Sequence, residues 1–160
     1  MRLTRQENTE IRRYLQGLRG TKEAALMKRY IQHGKVSTYE HVISVACLSY
    51  CINKRLRLGA PGAELVRGAF LHDFYLYDWH ENGYPGRLHG FRHPAVAWKE
   101  ALRRYRLTPV EQNIILSHMW PLTLFAFPRS RAACIVCLAD KICSAYEVIR
   151  KERPLFLTKL

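Results

Sequence analysis

Residues 40–58 have the sequence EHVISVACLSYCINKRLRL, a long apolar segment with helical spacing. Ser37 or Thr38 can cap its amino end, and the sequence GAPG at residues 59–62 ends it. The segments between the other turn signals show helical spacing rather than the alternation of strands. The sequence therefore predicts an all-α fold.

Further helices are expected on both sides of this segment, which makes a bundle of about six or seven helices. A glycine stop predicts a first helix from Thr4 or Asn8 to Leu18, and a second glycine predicts another from Thr21 to about His33. Later helices are predicted to begin near Ala63, at Pro94 directly after His93, at Pro109 behind a capping box, and after Ser130.

The composition is that of one ordinary domain. The 160 residues are 48% hydrophobic and 11% aromatic, which excludes a mainly disordered chain. No window approaches the roughly 18 uninterrupted apolar residues that span a bilayer, and the basic N-terminus lacks the apolar core of a secretory signal. We therefore expect a cytoplasmic, single-domain protein that has no membrane partner.

The five cysteines lie in apolar segments and are an odd number, which is typical of reduced thiols in a core. Cys134 and Cys137 form a CxxC pair, but no second pair or nearby histidine completes a structural zinc site. We expect these two cysteines to pack in a helix interior.

The net charge of +13 favours anionic partners such as nucleotides or other small phosphoesters. Nucleic acid is a less favoured partner, because the basic residues are spread over many segments instead of forming one recognition element.

Histidine and aspartate residues are the candidates for a metal site. Six of them are of the types that bind a divalent ion, namely His41, His72, Asp73, His93, His118 and Asp140. Asp140 lies within the apolar stripe of the last predicted helix, where a buried carboxylate is costly unless it is paired or bound to a metal. Because adjacent helical residues diverge by about 100°, the pair His72-Asp73 can serve one cluster only from a helix end, where Asp73 can direct its two oxygens toward two metals.

In its order and context the set His41, His72-Asp73 and Asp140 resembles the H…HD…D signature of the HD-domain phosphohydrolase superfamily. The resemblance covers about residues 20–150 and implies an all-helical fold in which a metal-activated water attacks a phosphoester. It divides the chain into an N-terminal helical extension, about residues 1–33, and a metal-site core, about residues 37–150. His93 and His118 match the extra ligands of the dinuclear members, which include mixed-valent di-iron oxygenases.

Membership of the HD-GYP class is not expected. The tripeptide GYP at residues 83–85 precedes His93, whereas in that class it follows the later histidine ligands. The usual HDxGK stretch is replaced by HDFYL at residues 72–76, which lacks the glycine and the lysine.

The predicted function is therefore hydrolysis of a nucleotide or other small phosphoester with one or two divalent ions, for which Mn, Fe, Co, Ni, Zn and Mg all remain open. Asp73 is the candidate catalytic residue, as a ligand that also accepts a proton. His89, Arg92 and Lys141, together with Arg87, are candidates to neutralise the phosphate, and His89 is also an alternative ligand to His93. The aromatic loop at residues 74–92 is expected to form a lid or a substrate wall. A di-iron oxygenase and a nucleic-acid-binding module are the alternative functions.

Overall fold

The computed structural model describes residues 3–80, 88–150 and 154–156. Within these ranges it contains seven helices, α1 Arg5–Tyr14, α2 Lys22–Met27, α3 Thr38–Arg55, α4 Gly62–Leu71, α5 His89–Leu102, α6 Pro109–Ser117 and α7 Arg131–Arg150. Two short antiparallel strands, β1 Ile31–His33 and β2 Val36–Ser37, form a hairpin between α2 and α3. The prediction of an all-α bundle is confirmed.

Helix α3 lies at the centre of the bundle and is buried along most of its length. It packs against α4 and α7, while α6 packs against the same two helices and against α5. The end of α4 lies beside the first turns of α3 and the middle of α7, and the end of α6 lies beside the end of α4. The polar residues at those positions are therefore brought together inside the core.

The predicted starts of three helices are confirmed by their caps. Ser37 forms a capping box with Glu40 at the start of α3, and Thr108 forms one with Glu111 at the start of α6. Oγ of Ser130 accepts a hydrogen bond of 3.1 Å from the backbone amide of Ala133 in α7. Each cap satisfies an amide that the first helical turn leaves without a partner.

The prediction of a helix from Thr21 to His33 was wrong in its second half, because α2 ends at Met27 and the β1–β2 hairpin follows. Gly34, with a φ of +60°, makes the tight turn between the strands. The hairpin buries Gln32, whose side-chain amide donates a hydrogen bond of 2.8 Å to Asp73. This contact is distant in sequence, and so the helical spacing of the segment does not report it.

Two further helix boundaries differ from those expected. Helix α1 ends at Tyr14 instead of Leu18, and Gly17 adopts a φ of +80° in the turn that follows. Helix α5 begins at His89 and carries Pro94 inside it. Its extra first turn is held by His93, whose Nδ1 lies 2.9 Å from the backbone oxygen of His89.

All five cysteines are free, and four of them are buried. Cys134 is exposed, so the expectation that it packs in the core was wrong; it lies on the outer face of α7. No described helix combines the length and the apolar character needed to cross a membrane.

Candidate metal centre

The six predicted ligands lie in one buried cluster, and four of them form its first group, namely His41, His72, Asp73 and Asp140. Nε2 of His41 lies 3.2 Å from Oδ1 of Asp140 and 3.7 Å from Oδ2 of Asp73. Nε2 of His72 lies 3.4 Å from Oδ2 of Asp73 and 3.6 Å from Oδ1 of Asp140. Two imidazole nitrogens and two carboxylate oxygens therefore surround one point.

The second group consists of His93, His118 and the other oxygen of Asp73. Oδ1 of Asp73 lies 3.2 Å from Nε2 of His93 and 3.5 Å from Nε2 of His118. The two Nε2 atoms are themselves 2.7 Å apart. Asp73 thus belongs to both groups, with one carboxylate oxygen in each.

The four imidazoles are held by their Nδ1 atoms, so that Nε2 faces the cluster in every case. Three of these atoms contact backbone oxygens, those of Ala69 for His72 (2.7 Å), His89 for His93 (2.9 Å) and Ile115 for His118 (2.8 Å). A carbonyl oxygen can only accept, so these three Nδ1 atoms carry a hydrogen and donate it. In the neutral rings, each of these Nε2 atoms is then left with a lone pair directed at the cluster.

This arrangement fits a divalent cation. Two lone pairs that face each other at 2.7 Å, as in His93 and His118, repel unless a proton or a metal ion lies between them. Nε2 of His72 and Oδ1 of Asp73 are buried, and neither has a hydrogen-bond partner in the part of the chain that the structure describes. Burying such atoms is unfavourable without a cation to bind them, and imidazole nitrogen with carboxylate oxygen is a common donor set for divalent metals. The cluster could therefore hold a metal ion.

The protonation of the first group is strongly shifted. Burial lowers the pKa of His41, but hydrogen bonds to Asp140 and Glu147 outweigh it and raise that pKa to about 9. Burial acts in the same way on His72, whose pKa is nevertheless raised well above its ordinary value, chiefly by the charge of Asp73. Burial favours the neutral form of Asp73 and Asp140, yet the adjacent imidazoles hold both carboxyl pKa values well below their usual range. Without a metal, protons on His41 and His72 therefore balance the carboxylates.

Glu147 belongs to this cluster, although it is not among the ligands predicted from the sequence. The residue is fully buried in α7, and its Oε2 accepts a hydrogen bond of 2.8 Å from Nδ1 of His41. A signal was present in the sequence, because Glu147 follows Asp140 by seven residues and so lies on the same face of the last helix. Gln32, which donates to Oδ2 of Asp73, is a second missed residue, and its placement in a hairpin had no such signal.

A cavity of about 650 Å³ opens beside the cluster, and its lining includes Asp73, His93, His118 and Asp140. Apolar side chains also line the cavity, namely Trp79, Met119, Pro121 and Leu122. A substrate bound in the cavity would contact both the cluster and these apolar side chains.

The structure places the predicted phosphate-binding residues differently. Lys141 lines the cavity, and its Nζ donates to the backbone oxygen of His118 at 3.0 Å. His89 also lines it, stacked on Trp79 and His93, but burial, reinforced by the nearby His93, lowers its pKa to about 4. His89 is therefore neutral near pH 7, which corrects its expected role as a positive group. Arg92 is exposed, and the described lining of the cavity does not include it.

Part of the predicted lid lies outside the described residues, including Arg87 and the tripeptide at 83–85. Of the aromatic residues before it, Phe74 and Tyr75 are buried in the core, whereas Trp79 lines the cavity. Of these three aromatic residues, Trp79 is therefore the one placed to contact a substrate in the cavity.

Comparison with models of protein families, with curated proteins and with solved structures found no match. The functional interpretation therefore rests on the chemistry of the cluster itself.

Proposed function

We propose that this protein is a metal-dependent phosphohydrolase of the HD-domain type, which holds two divalent ions and acts on a nucleotide or another small phosphoester. The observation that carries the proposal is the position of Asp73, which directs one oxygen at His41 and His72 and the other at His93 and His118. A carboxylate shared in this way is the natural bridge between two ions.

The side chains of the cluster have distinct roles in this proposal. The first ion would be held by His41, His72, Asp73 and Asp140, and the second by His93, His118 and Asp73. When bound, such ions supply Lewis acidity, which lowers the pKa of water and stabilises the charge that develops on a phosphoryl group. Both oxygens of Asp73 face imidazole nitrogens, and one of them also accepts from Gln32, which favours a bridging role over proton transfer.

The cavity supports an anionic substrate that has an apolar portion. Lys141 is a positively charged group that lines the cavity in addition to the histidines, and its Nζ is held there by two backbone oxygens. Trp79 and Leu122 in the cavity lining offer contacts to a base or another apolar group. Neutral His89 adds a hydrogen-bonding group to the cavity lining without adding charge.

A di-iron oxygenase on the same scaffold is the second candidate. It is favoured by the convergence of all six candidate ligands on two adjacent groups, because oxidation at a mixed-valent pair requires both ions. The two functions can be distinguished, because the oxygenase requires a pair of iron ions and only the phosphohydrolase hydrolyses a phosphoester.

The deciding experiment combines elemental analysis with an activity screen. Protein purified without chelator is analysed for bound metal, loaded in turn with Mn, Fe, Co, Ni, Zn and Mg, and tested on a panel of nucleotides and simple phosphoesters. We expect about two ions per chain and phosphate release that Asp73→Asn abolishes. The matched control is Glu23→Gln, because Glu23 of α2 pairs with Arg104 on the surface at 3.0 Å and does not line the cavity, so its replacement should leave phosphate release unchanged.

Two results would overturn the proposal. The absence of bound metal after loading would remove the site, and a bound iron pair with a mixed-valent electron paramagnetic resonance signal but no hydrolysis would assign the oxygenase function instead.

A further inference from the structure

The segment that links α6 to α7 exposes an unusual number of large apolar side chains. Trp120, Leu122, Leu124, Phe125 and Phe127 are all exposed, and Phe125 is 97% accessible to solvent. Phe91 of α5 is exposed as well, next to Gly90, where an added Cβ would lie 3.2 Å from Leu122. We call these six side chains the apolar face. Contiguous exposed apolar groups of this kind mark contact surfaces more often than isolated ones do.

Hydrogen bonds tie both ends of the segment that links α6 to α7 to the adjacent helices. The backbone oxygen of Trp120 accepts a hydrogen bond of 3.3 Å from Sγ of Cys137 in α7. At the other end, Asn113 of α6 donates to the backbone oxygen of Phe127 at 3.4 Å and accepts from the backbone amide of Arg129 at 2.8 Å. The apolar side chains are thus presented outward by an anchored segment.

The exposed charge on the chain from α6 through α7 has one sign. Between residues 112 and 150 the acidic residues are Asp140 and Glu147, and both are buried in the metal cluster. The exposed charged residues of the same range are all basic, namely Arg129, Arg131, Lys141 and Arg150. Arg129 also stacks over the ring of Phe127 at 5.1 Å. Positive charge therefore lies beside the aromatic and aliphatic side chains at Arg129, and at Lys141, which lines the cavity together with Leu122.

We propose that the apolar face docks on an anionic lipid surface. Aromatic and leucine side chains enter the boundary between headgroups and acyl chains, and flanking lysine and arginine residues pair with acidic headgroups. Nucleic acid is a poorer partner for this surface, because binding to it would leave the aliphatic side chains exposed to water. The proposal concerns contact with a membrane surface, and so it differs from the expectation of no membrane partner drawn from the sequence.

Docking in this way would also orient the candidate metal centre. Leu122 belongs both to the apolar face and to the wall of the cavity beside the cluster. The cavity therefore opens at the edge of the docking surface, and its contents would be exchanged close to the lipid headgroups.

Sedimentation with lipid vesicles tests the proposal directly. The full chain is mixed with vesicles of phosphatidylcholine alone and with vesicles that also contain phosphatidylglycerol, and the bound fraction is measured at several salt concentrations. We expect binding to the anionic vesicles that weakens as salt rises, and a roughly ten- to hundredfold weaker partition for Phe125→Asp. Leu102→Asp is the matched control, because Leu102 is exposed at the opposite end of α5 from Phe91 and should bind like the wild type.

The outcome is separable from the proposed catalysis. Asp73→Asn should sediment with anionic vesicles as the unsubstituted chain does, even though it releases no phosphate, and loss of vesicle binding in that variant would overturn the docking proposal. So would a lack of binding by the unsubstituted chain, or equal binding by Phe125→Asp. A dimer that Phe125→Asp converts to monomer, with no vesicle binding, would assign the apolar face to a second copy of the chain instead.

Discussion

Nδ1 of His41 donates a hydrogen bond of 2.8 Å to Oε2 of Glu147, a residue that lies 106 positions later in the chain. Both side chains are fully buried, and the opposite nitrogen of His41 faces Asp140. A carboxylate behind a metal-binding imidazole fixes the orientation of the ring and increases its basicity. Glu147 would therefore act, through His41, on an ion held by the cluster.

We expect Glu147→Gln to weaken metal binding by about 10- to 100-fold, because the amide replaces a charged acceptor with a neutral one. Titration calorimetry with Zn or Mn measures the change, and circular dichroism checks that the helices remain. Glu147→Asp keeps the charge and should restore part of the affinity. Equal affinities for the wild type and Glu147→Gln would show that the glutamate serves only the packing of α7.

Removing a ligand of one group, or the ligand that both groups share, should distinguish the two proposed ions. His118→Ala affects the second group alone, so the expected content falls from about two ions per chain to about one. Asp73→Ala affects both groups and should lower the affinity at each position. Elemental analysis after dialysis provides the counts, and an unchanged content in His118→Ala would contradict the assignment of two positions.

Metal binding should release protons near neutral pH. The pKa of His41 is raised from 6.5 to about 9, so without metal this imidazole is protonated at pH 7.5, and a bound ion must displace the proton. The apparent affinity therefore rises with pH up to about pH 9, by about tenfold per pH unit for each proton displaced. Calorimetry at pH 7.5 in buffers of different ionisation enthalpy counts the released protons. A count of zero would contradict the raised pKa.

The contact between α1 and α3 should make the free energy of unfolding depend on pH in the acidic range. Glu10 accepts hydrogen bonds from the hydroxyls of Tyr50 at 2.5 Å and Tyr14 at 2.7 Å, and these bonds lower its pKa below 4.5. The folded-state pKa is depressed, so the stabilisation is complete above about pH 4.5 and is lost as the pH falls through the lower value. Glu10→Gln should cost about 1 to 2 kcal/mol at pH 7 and less at pH 3.

Urea unfolding at both pH values measures this difference. Tyr50→Phe removes the same hydrogen bond from the other side, so the two substitutions together should cost less than the sum of their separate effects. Strict additivity would show that Glu10 and Tyr50 do not interact.

Close packing between α4 and α6 depends on Gly68. A Cβ at this position would lie 2.5 Å from Cδ1 of Ile114 and 3.2 Å from its Cβ. Gly68→Ala should therefore destabilise the protein by about 1 to 3 kcal/mol, although alanine favours a helix more than glycine does. Gly20→Ala is the control, because no atom lies within 4 Å of the added Cβ. Thermal unfolding compares the two, and equal melting temperatures would contradict the steric argument.

Much of the fold could be predicted because its signals are local. The caps at Ser37, Thr108 and Ser130 depend on residues within one helical turn, and the structure has them as expected. The β1–β2 hairpin could not be predicted in this way, because it is held by Gln32, which contacts Asp73 across 41 positions of sequence.

The candidate site shows the same division. The order of the histidines and aspartates indicated a cluster, and the structure brings all six together. The protonation of His89 depends on its burial and on His93, neither of which a sequence pattern reports. The seven-residue spacing on α7 predicts that Glu147 lies on the same face as Asp140. Its role depends on the contact with His41, which is distant in sequence and has no local signal.

The two carboxylate oxygens of Asp73 have a thermodynamic consequence. In the proposed two-ion site, an ion at either oxygen would change the charge and the orientation that the other oxygen offers, so the two binding events would be linked. Linkage is reciprocal: whatever factor the first ion imposes on the affinity for the second, the second imposes on the first. Occupancy of the centre should thus be cooperative, positively or negatively, and the half-loaded protein is a distinct chemical species whose abundance depends on the free metal concentration.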